Sequence, residues 1–281
     1  MKKALVLEGG SMRGLFSAGV LDVMMENGIE FDAVIGVSAG AAFGCNYKSK
    51  QIGRAIRYNL KFAHNWRYCS MRSLVMTGDI FGADFCYHKL PAELDVIDKE
   101  TYEANPTDMI VVCTDVHTGK PVYHKINELT DEAMEWMRAS ASMPFVSRVV
   151  HVDGRDMLDG GISDSIPVKY AVDQGYDKIV VVLTRPEGYV KEPFGHDSAV
   201  RFAMRRYPRL AQAVLDRHRM YNREIRMIGE LEKEGRIFVI RPDEPIDVGR
   251  IEHDTVKLHA AHAAGLEKGA EIVDAVKEYL E

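Results

Sequence analysis

Residues 31–47 read FDAVIGVSAGAAFGCNY, an apolar run followed by a glycine-flanked serine and a second apolar run. The spacing predicts a strand over Phe31–Ile35 and a helix over Ala39–Tyr47 that opens directly from it. The segment between them, Gly36-Val37-Ser38-Ala39-Gly40, fits the pattern G-x-S-x-G. In that pattern the serine occupies a sharp strand-to-helix turn and serves as a nucleophile. Ser38 is therefore the candidate nucleophile.

The two glycines of this motif have a steric role. Side chains at Gly36 and Gly40 would clash with neighbouring backbone at so tight a turn. The helix that begins after Ser38 directs its positive end at the serine, which stabilises a developing alkoxide. A plain tight turn is the alternative interpretation, but the strand before it and the helix after it are the context that a nucleophile requires.

The rest of the chain extends this strand–helix unit. Residues 3–7 form a short apolar strand, and apolar residues at helical spacing run from Leu15 to Met25 before Asn27-Gly28. Further strands are predicted at 109–116, 122–126, 149–152, 157–158, 178–184 and 236–240, and further helices at 130–140, 167–174, 198–234 with a break at Pro208, and 255–279. The alternation predicts an α/β fold, a three-layer α/β/α arrangement around a mostly parallel central sheet.

Composition limits the class of protein. The 281 residues carry 36 basic and 42 acidic side chains, which argues against nucleic-acid binding because phosphate contacts need a basic surface. Four cysteines without close spacing predict neither a disulfide framework nor a zinc site. The first apolar run ends at Glu8, too short for a signal-peptide core or a spanning helix. We therefore predict a cytoplasmic protein whose membrane association, if any, is peripheral.

The sequence contains no signal of a domain boundary. No Ser/Pro/Gly-rich linker, low-complexity stretch or internal repeat divides the sequence. We expect one domain over residues 1–281, with the diagnostic motifs inside 3–185 and the helices of 198–281 belonging to the same domain.

A glycine-rich loop, Gly9-Gly10-Ser11-Met12-Arg13-Gly14, follows the first strand and opens the first helix. Backbone N–H groups are free at such a position and converge on an anion. The loop lacks the Lys-Ser/Thr of a phosphate-binding P-loop, and Ser11 breaks the dinucleotide fingerprint G-x-G-x-x-G. Beside a nucleophile it suits an oxyanion hole formed by Gly9, Gly10, Ser11 and Met12. Arg13 either steers a phosphate headgroup or anchors its own loop.

A third element is Asp159-Gly160-Gly161, which follows the predicted hairpin around Asp153-Gly154. An aspartate at a strand end before two glycines can place its carboxylate against another loop. Taken alone, the pattern is more often a turn signal.

In combination these pieces resemble the patatin-like phospholipase family. Their order and spacing agree with that family from residue 3 to about residue 185. The matching pieces are Leu5 to Gly10 with Arg13-Gly14, Gly36 to Gly40, Arg138-Ala139-Ser140-Ala141-Ser142-Met143-Pro144, Asp153-Gly154, Asp159-Gly160-Gly161 and Ile166-Pro167.

The resemblance implies a serine hydrolase of lipid acyl esters that needs no cofactor and no metal. It implies a Ser–Asp dyad in which Ser38 attacks the ester carbonyl and Asp159 acts as the base without a histidine. The glycine-rich loop would hold the oxyanion, supported by Arg13, Gly14, Gly160 and Gly161. One departure is visible, because this chain has Ser11 where the family usually has a third glycine.

Two compositional clusters bear on the substrate. Residues 62–87 hold six aromatic side chains, which form an acyl-chain pocket, the core of an inserted subdomain, or both. The stretch from Arg201 to Arg226 carries eight arginines, which contact anionic lipid headgroups or form a solvated helix face. The partners expected are thus a lipid or acyl-ester substrate and a peripheral membrane surface through 201–226, and no nucleic acid.

Alternatives to a lipid acyl hydrolase remain at this point. A small-ester esterase or thioesterase could use the same scaffold. A nucleotide- or anion-binding module could use the glycine loop alone, in which case a Ser38→Ala protein would still bind a phosphate ligand. A Ser-Asp-His triad would instead require one of the histidines after Asp159, none of which has a recognisable catalytic context: His196, His218, His253, His259 and His262.

Overall fold

The computed structural model describes all residues from Met1 to Glu281. The strands are β1 (Lys3–Leu7), β2 (Ala33–Val37), β3 (Asp108–Asp115), β4 (Pro121–Lys125), β5 (Val150–Val152), β6 (Arg155–Asp159), β7 (Lys178–Val182) and β8 (Ile237–Ile240). The helices are α1 (Gly14–Glu26), α2 (Ala39–Lys48), α3 (Arg54–Phe62), α4 (Met71–Thr77), α5 (Lys99–Ala104), α6 (Asp131–Ser140), α7 (Val168–Asp173), α8 (Asp197–Ala203), α9 (Pro208–Lys233) and α10 (Thr255–Leu280).

The strands form one mixed sheet of eight, in the order β5-β6-β3-β2-β1-β7-β8, with β4 also paired to β3. The five strands from β3 to β8 in this order run parallel, whereas β4, β5 and β6 are added antiparallel. The central parallel strands read as continuous apolar runs because both of their faces are buried.

Alternate residues of these strands enter two separate cores. In β1, Leu5 and Leu7 pack with residues of α1, α6 and α10 on one face. Ala4 and Val6 pack with residues of α7 and α9 on the other face. Helices therefore cover both faces of the sheet, and the predicted three-layer α/β/α class with a mostly parallel sheet is confirmed.

Most of the predicted elements occur within a residue or two of their expected bounds. The strand predicted over Phe31–Ile35 is displaced along the chain by two residues, because it spans Ala33–Val37. Its pairing with β1 begins at Ala33 opposite Ala4, and the carboxylate of Asp32 accepts the Lys3 N–H at 2.6 Å before the ladder starts. The strand consequently continues to the residue before Ser38.

Two other parts differ from the prediction. The strand predicted at 178–184 ends at Val182, and residues 53–104, for which no element was predicted, form α3, α4, α5 and a π-helical segment over Phe85–Leu94. The break predicted at Pro208 within 198–234 is present, since this stretch forms α8 and α9 with Pro208 as the first residue of α9. None of the helices combines the length and the apolarity that a membrane crossing needs.

The C-terminal helix α10 lies along α1, and glycines set their separation. A Cβ atom on Gly265 would overlap the carbonyl oxygen of Phe16, and one on Gly269 would lie 2.9 Å from the Cβ of Val23. The strand β8, which precedes α10, extends the same sheet through β7. We propose on this basis that residues 1–281 fold as one domain.

Substitution of Gly265 tests this proposal. We expect Gly265→Ala to lower the free energy of unfolding by about 1–3 kcal/mol, since the added methyl overpacks the α1–α10 contact. The matched control is Gly229→Ala in α9, where a Cβ meets nothing within 4 Å. That change should raise stability by about 0.5–1 kcal/mol through helix propensity. Urea unfolding followed by circular dichroism should give one transition in each case; two separate transitions would contradict the single domain.

Candidate active site

Ser38 occupies a strained turn between β2 and α2. Its backbone has φ 55° and ψ −120°, a conformation that residues other than glycine rarely adopt. A Cβ on Gly36 would lie 2.6 Å from the backbone of Ala41, and a Cβ on Gly40 would lie 2.5 Å from the carbonyl oxygen of Leu7. The close approach of α2 to the ends of β1 and β2 therefore requires both glycines, and it turns the Ser38 side chain out at the sheet edge.

Asp159 is the last residue of β6. Pairing of β6 with β3 sets it opposite Cys113, and its side chain is nearly fully buried. The carboxylate accepts the Gly161 N–H at 2.7 Å, and the Ser38 side chain lies close enough to lower the pKa of the carboxyl. Gly160 lies so close to the Val112 carbonyl that no Cβ fits there. The structure thus brings together the two residues that the sequence singled out as nucleophile and base.

The surroundings of Asp159 change its basicity. Burial raises the pKa of the Asp159 carboxyl above its ordinary value because desolvation disfavours the charged form. The Arg217 guanidinium, the Ser38 hydroxyl and the Gly161 N–H lower the pKa of Asp159 in part, and burial outweighs them. The carboxylate is consequently a stronger proton acceptor than an aspartate in water.

The glycine-rich loop lies between β1 and α1, with Ser11–Arg13 in a 3-10 turn. The N–H of Gly9 is partly used, because it points to the Ser165 carbonyl at 3.5 Å. The N–H groups of Gly10, Ser11 and Met12 have no hydrogen-bond partner. Of the four loop residues predicted for an oxyanion hole, three therefore present free donors.

Ser11 adopts the left-handed backbone that a glycine would favour, with φ 51°. Its hydroxyl donates to the carbonyl of Arg250 at 2.7 Å, which ties the loop to the segment before α10. The serine that departs from the family pattern thus keeps the glycine-like conformation and leaves its N–H free.

The loop packs directly against the nucleophile and its helix. A Cβ on Gly9 would lie 3.2 Å from the Cβ of Ser38, and one on Gly14 would lie 2.9 Å from both Ala39 and Phe43. Arg13 is half-buried, and its Nε has no partner.

A cavity of about 120 Å³ opens at Ser38. It extends between α2, α3, the π-helical segment and α6, and 16 of its 21 lining residues are hydrophobic. Met134, Met137 and Met143 line it, and their unbranched side chains adapt to irregular ligands. Its shape and polarity suit an acyl chain bound beside the reacting ester.

The aromatic cluster of residues 62–87 is divided between the lining of this cavity and the core behind it. Tyr68, Phe81 and Tyr87 line the cavity. Phe62 and Phe85 pack behind them, with ring centroids 5.3 Å apart in an edge-to-face arrangement. Trp66 lies outside both groups and contacts the Arg72 guanidinium at 4.4 Å.

Histidines occupy other places. None lines the cavity at Ser38. His262 pairs with Asp22 at 2.8 Å inside the α1–α10 contact, His253 contacts the Ala63 carbonyl, and His218 contacts the Leu215 carbonyl within its own helix. No cluster of three or more His, Cys, Asp or Glu side chains is arranged to hold a metal ion.

Several residues near Ser38 had no role in the sequence analysis. The hydroxyl of Ser140 accepts the Ser38 N–H at 2.9 Å and donates to the Val112 carbonyl at 2.7 Å, which anchors the turn from behind. Arg217 reaches Asp159 from α9, and Arg185 follows the end of β7. The carboxyl ends of parallel strands form the usual binding edge of an α/β sheet, and this rule could have drawn attention to Arg185.

Comparisons with known proteins identify the family of this chain. Residues 5–172 match the model of the patatin-like phospholipase family, and residues 207–281 match a domain of unknown function (DUF6363). The Escherichia coli protein YjjU is 33% identical over 200 residues, which are 65% of this chain and 52% of YjjU. Lysophospholipase NTE1 of Meyerozyma guilliermondii is 27% identical over 186 residues, 63% of this chain and 12% of the relative.

Among solved structures, VipD from Legionella pneumophila aligns with a TM-score of 0.46 and 13% identity, over 98% of this chain and 67% of that chain. The chain spans about half the length of YjjU and a small part of NTE1. The match to the patatin-like model covers more than half of this chain and includes Ser38, Asp159 and the glycine-rich loop. The chain belongs to the patatin-like phospholipase family.

Proposed function

We propose that this chain is a serine hydrolase that cleaves the acyl ester bonds of lipids, as a phospholipase A or lysophospholipase, with Ser38 and Asp159 as a catalytic dyad. One observation carries the proposal. A buried carboxylate lies beside the side chain of a serine on a strained turn, at the mouth of an apolar cavity. The names of relatives such as lysophospholipase NTE1 support the same class of substrate.

The first half of the proposed reaction forms an acyl-enzyme. The Ser38 Oγ attacks the ester carbonyl while the Asp159 carboxylate takes the hydroxyl proton. The N–H groups of Gly10, Ser11 and Met12 donate to the oxyanion that forms on the carbonyl oxygen. Collapse of the tetrahedral intermediate expels the alcohol, which leaves with the proton held by Asp159.

The second half hydrolyses the acyl-enzyme. Asp159 takes a proton from water as the water oxygen attacks the acyl carbonyl, and the same N–H donors stabilise the second oxyanion. The fatty acid leaves, and Asp159 returns its proton to the Ser38 Oγ. No cofactor enters either half.

Replacement of Asp159 tests the base. Asp159→Asn should leave the protein folded and lower kcat by roughly a hundredfold or more, the range for loss of a positioned base. Asp164→Asn is the matched control, because Asp164 is also buried and its carboxylate accepts the Tyr123 hydroxyl instead. Single alanine changes at His196, His218, His253, His259 and His262 should retain most activity. A histidine variant that folds normally and is as inactive as Ser38→Ala would replace the dyad with a triad.

The pH profile gives the same test a second readout. Protonated Asp159 cannot accept the serine proton, so activity should fall as the pH drops through the raised pKa of Asp159. The acidic limb of kcat/KM should therefore lie above the ordinary aspartate pKa of about 3.9.

The cavity predicts a long acyl chain, because each buried methylene contributes roughly 0.8 kcal/mol. For nitrophenyl esters from two to twelve carbons, kcat/KM should rise with chain length. Ala42→Leu, which narrows the cavity, should depress the longest esters most, and Ala260→Leu on the exposed surface of α10 should not. A steady fall with length in the unaltered protein would favour the small-ester esterase.

A peripheral membrane contact is a second proposal. Seven of the eight arginines between Arg201 and Arg226 are exposed, and Arg217 alone is turned toward the active site. Phe194 and Phe202 beside them are 53% and 71% exposed, which adds apolar groups that can enter a bilayer surface.

Vesicle sedimentation tests this contact. Binding should be stronger to anionic than to neutral vesicles and should weaken at high salt. Replacing Arg201, Arg205, Arg206 and Arg209 with Gln should reduce it. Binding that ignores vesicle charge, or that the four changes leave unaltered, would make these arginines an ordinary solvated face.

A further inference from the structure

Four cationic side chains lie close together, and one of them, Arg217, faces Asp159. Arg185 follows β7, Lys191 lies in the next loop, Arg217 extends from α9, and Arg13 comes from the glycine-rich loop. This cationic cluster is built around two tyrosine rings. The Arg185 guanidinium lies 4.4 Å from the ring of Tyr189, and the Lys191 Nζ lies 4.2 Å from the ring of Tyr221.

The cluster carries more positive charge than its neighbours neutralise. Two carboxylates face it, Glu8 and Asp159. Both oxygens of Glu8 are already engaged, by the Thr184 N–H at 2.6 Å and the Tyr221 hydroxyl at 2.9 Å. None of the four cations makes an ion pair with a carboxylate.

Donors within the cluster lack partners. The Nε atoms of Arg13 and Arg185 and the hydroxyl of Thr184 are buried without a hydrogen bond. Burial, followed by the charges of Arg217, Arg13 and Arg185, lowers the pKa of Lys191 to about 7, against the pull of Glu8. Buried donors without partners and neighbouring like charges both cost free energy. An anionic ligand that accepted from these donors and neutralised these charges would remove that cost.

The position of the cluster relates it to the reaction. Arg217 donates from Nε to the Gly161 carbonyl at 2.5 Å, and Gly161 is two residues after Asp159. The Thr184 hydroxyl borders Gly10 of the glycine-rich loop, 2.7 Å from where a Cβ would stand. The acyl cavity extends from Ser38 between α2, α3 and α6, whereas the cluster is built on the β7 and α9 side. An ester held at Ser38 with its acyl chain in the cavity would therefore direct its alcohol portion toward the cluster.

We propose that the cationic cluster binds a phosphate group on the alcohol portion of the lipid substrate, so that the preferred substrates are acyl glycerophosphates. This inference rests on the proposed lipid hydrolase and names its substrate class. Guanidinium groups match phosphate oxygens in bidentate fashion, and the Lys191 ammonium adds a point charge. The net positive charge of the cluster suits a phosphate monoester better than a zwitterionic headgroup.

The test compares two lipids with the same acyl chain, 1-acylglycerol 3-phosphate and the uncharged 1-acylglycerol. The unaltered protein should show a kcat/KM at least tenfold higher for the phosphate lipid. Lys191→Gln and Arg185→Gln should each lower this ratio by roughly tenfold or more, the range for loss of a charge-assisted hydrogen bond. Lys191→Arg should retain most of it. Lys169→Gln is the control, because Lys169 is exposed on α7 and paired with Asp173.

The outcomes separate this inference from the proposed function. If the unaltered protein hydrolyses 1-acylglycerol in a Ser38-dependent way but shows no preference for the phosphate lipid, the inference alone fails. If neither lipid nor nitrophenyl ester is hydrolysed, the proposed function fails with it. A ratio that Lys191→Gln and Arg185→Gln leave unchanged, although melting temperatures show both variants folded, also overturns the subsite.

Inorganic phosphate distinguishes the two sources of this ligand chemistry. Phosphate should compete with 1-acylglycerol 3-phosphate at concentrations that leave 1-acylglycerol hydrolysis unaffected. If it instead raises the melting temperature in a Lys191-dependent way while the lipid ratio is insensitive to Lys191, the cluster binds free phosphate and the lipid assignment is wrong.

Discussion

The contact between the backbone of α2 and the end of β1 is the constraint on which the site depends. Gly40 stands where any side chain would lie 2.5 Å from the Leu7 carbonyl oxygen, so helix and strand can approach only through glycine. That approach leaves Ser38 with a positive φ at the edge of the sheet. A residue held in such a conformation costs of the order of 1–3 kcal/mol, which the surrounding sheet must supply. This conformation places the half-buried Ser38 beside a loop of free N–H groups.

The two sides of Ser38 differ in charge because different kinds of side chain surround it. The acyl cavity is apolar, while the cationic cluster across the site holds uncompensated positive charge. Asp159 lies between these environments, and burial raises the pKa of its carboxyl while Arg217 limits the rise. A cation and two polar groups, the Ser38 side chain and the Gly161 N–H, oppose this desolvation and favour the ionised carboxylate. This environment supports the proposal that Asp159 acts as the base without a histidine.

The sequence predicted those features that depend on neighbouring strands. Ser38 and the glycine-rich loop follow β2 and β1, which pair directly, so the local motifs placed them together. The placement of Asp159 near Ser38 depends on the antiparallel pairing of β6 with β3, which no local pattern specifies. Its role came from the family resemblance and not from spacing.

Other parts could not be read locally for physical reasons. The π-helical segment over Phe85–Leu94 contains Pro91, which interrupts the usual helical signal, and it lines the cavity only through tertiary packing. The cationic cluster joins Arg13 to Arg185, Lys191 and Arg217 from distant elements. The sequence alone does not show which charged residues of these segments the fold buries. Arg217, for example, is half-buried, whereas the other arginines of α9 are exposed.

Covalent labelling shows directly whether Ser38 is the nucleophile. The intact protein is treated with a fluorophosphonate and digested, and the modified peptide is mapped by mass spectrometry. We expect one phosphonylated residue, Ser38, with loss of ester hydrolysis in proportion to labelling and no labelling of a folded Ser38→Ala protein. Labelling of a different serine in parallel with loss of activity, or full activity in Ser38→Ala, would contradict it.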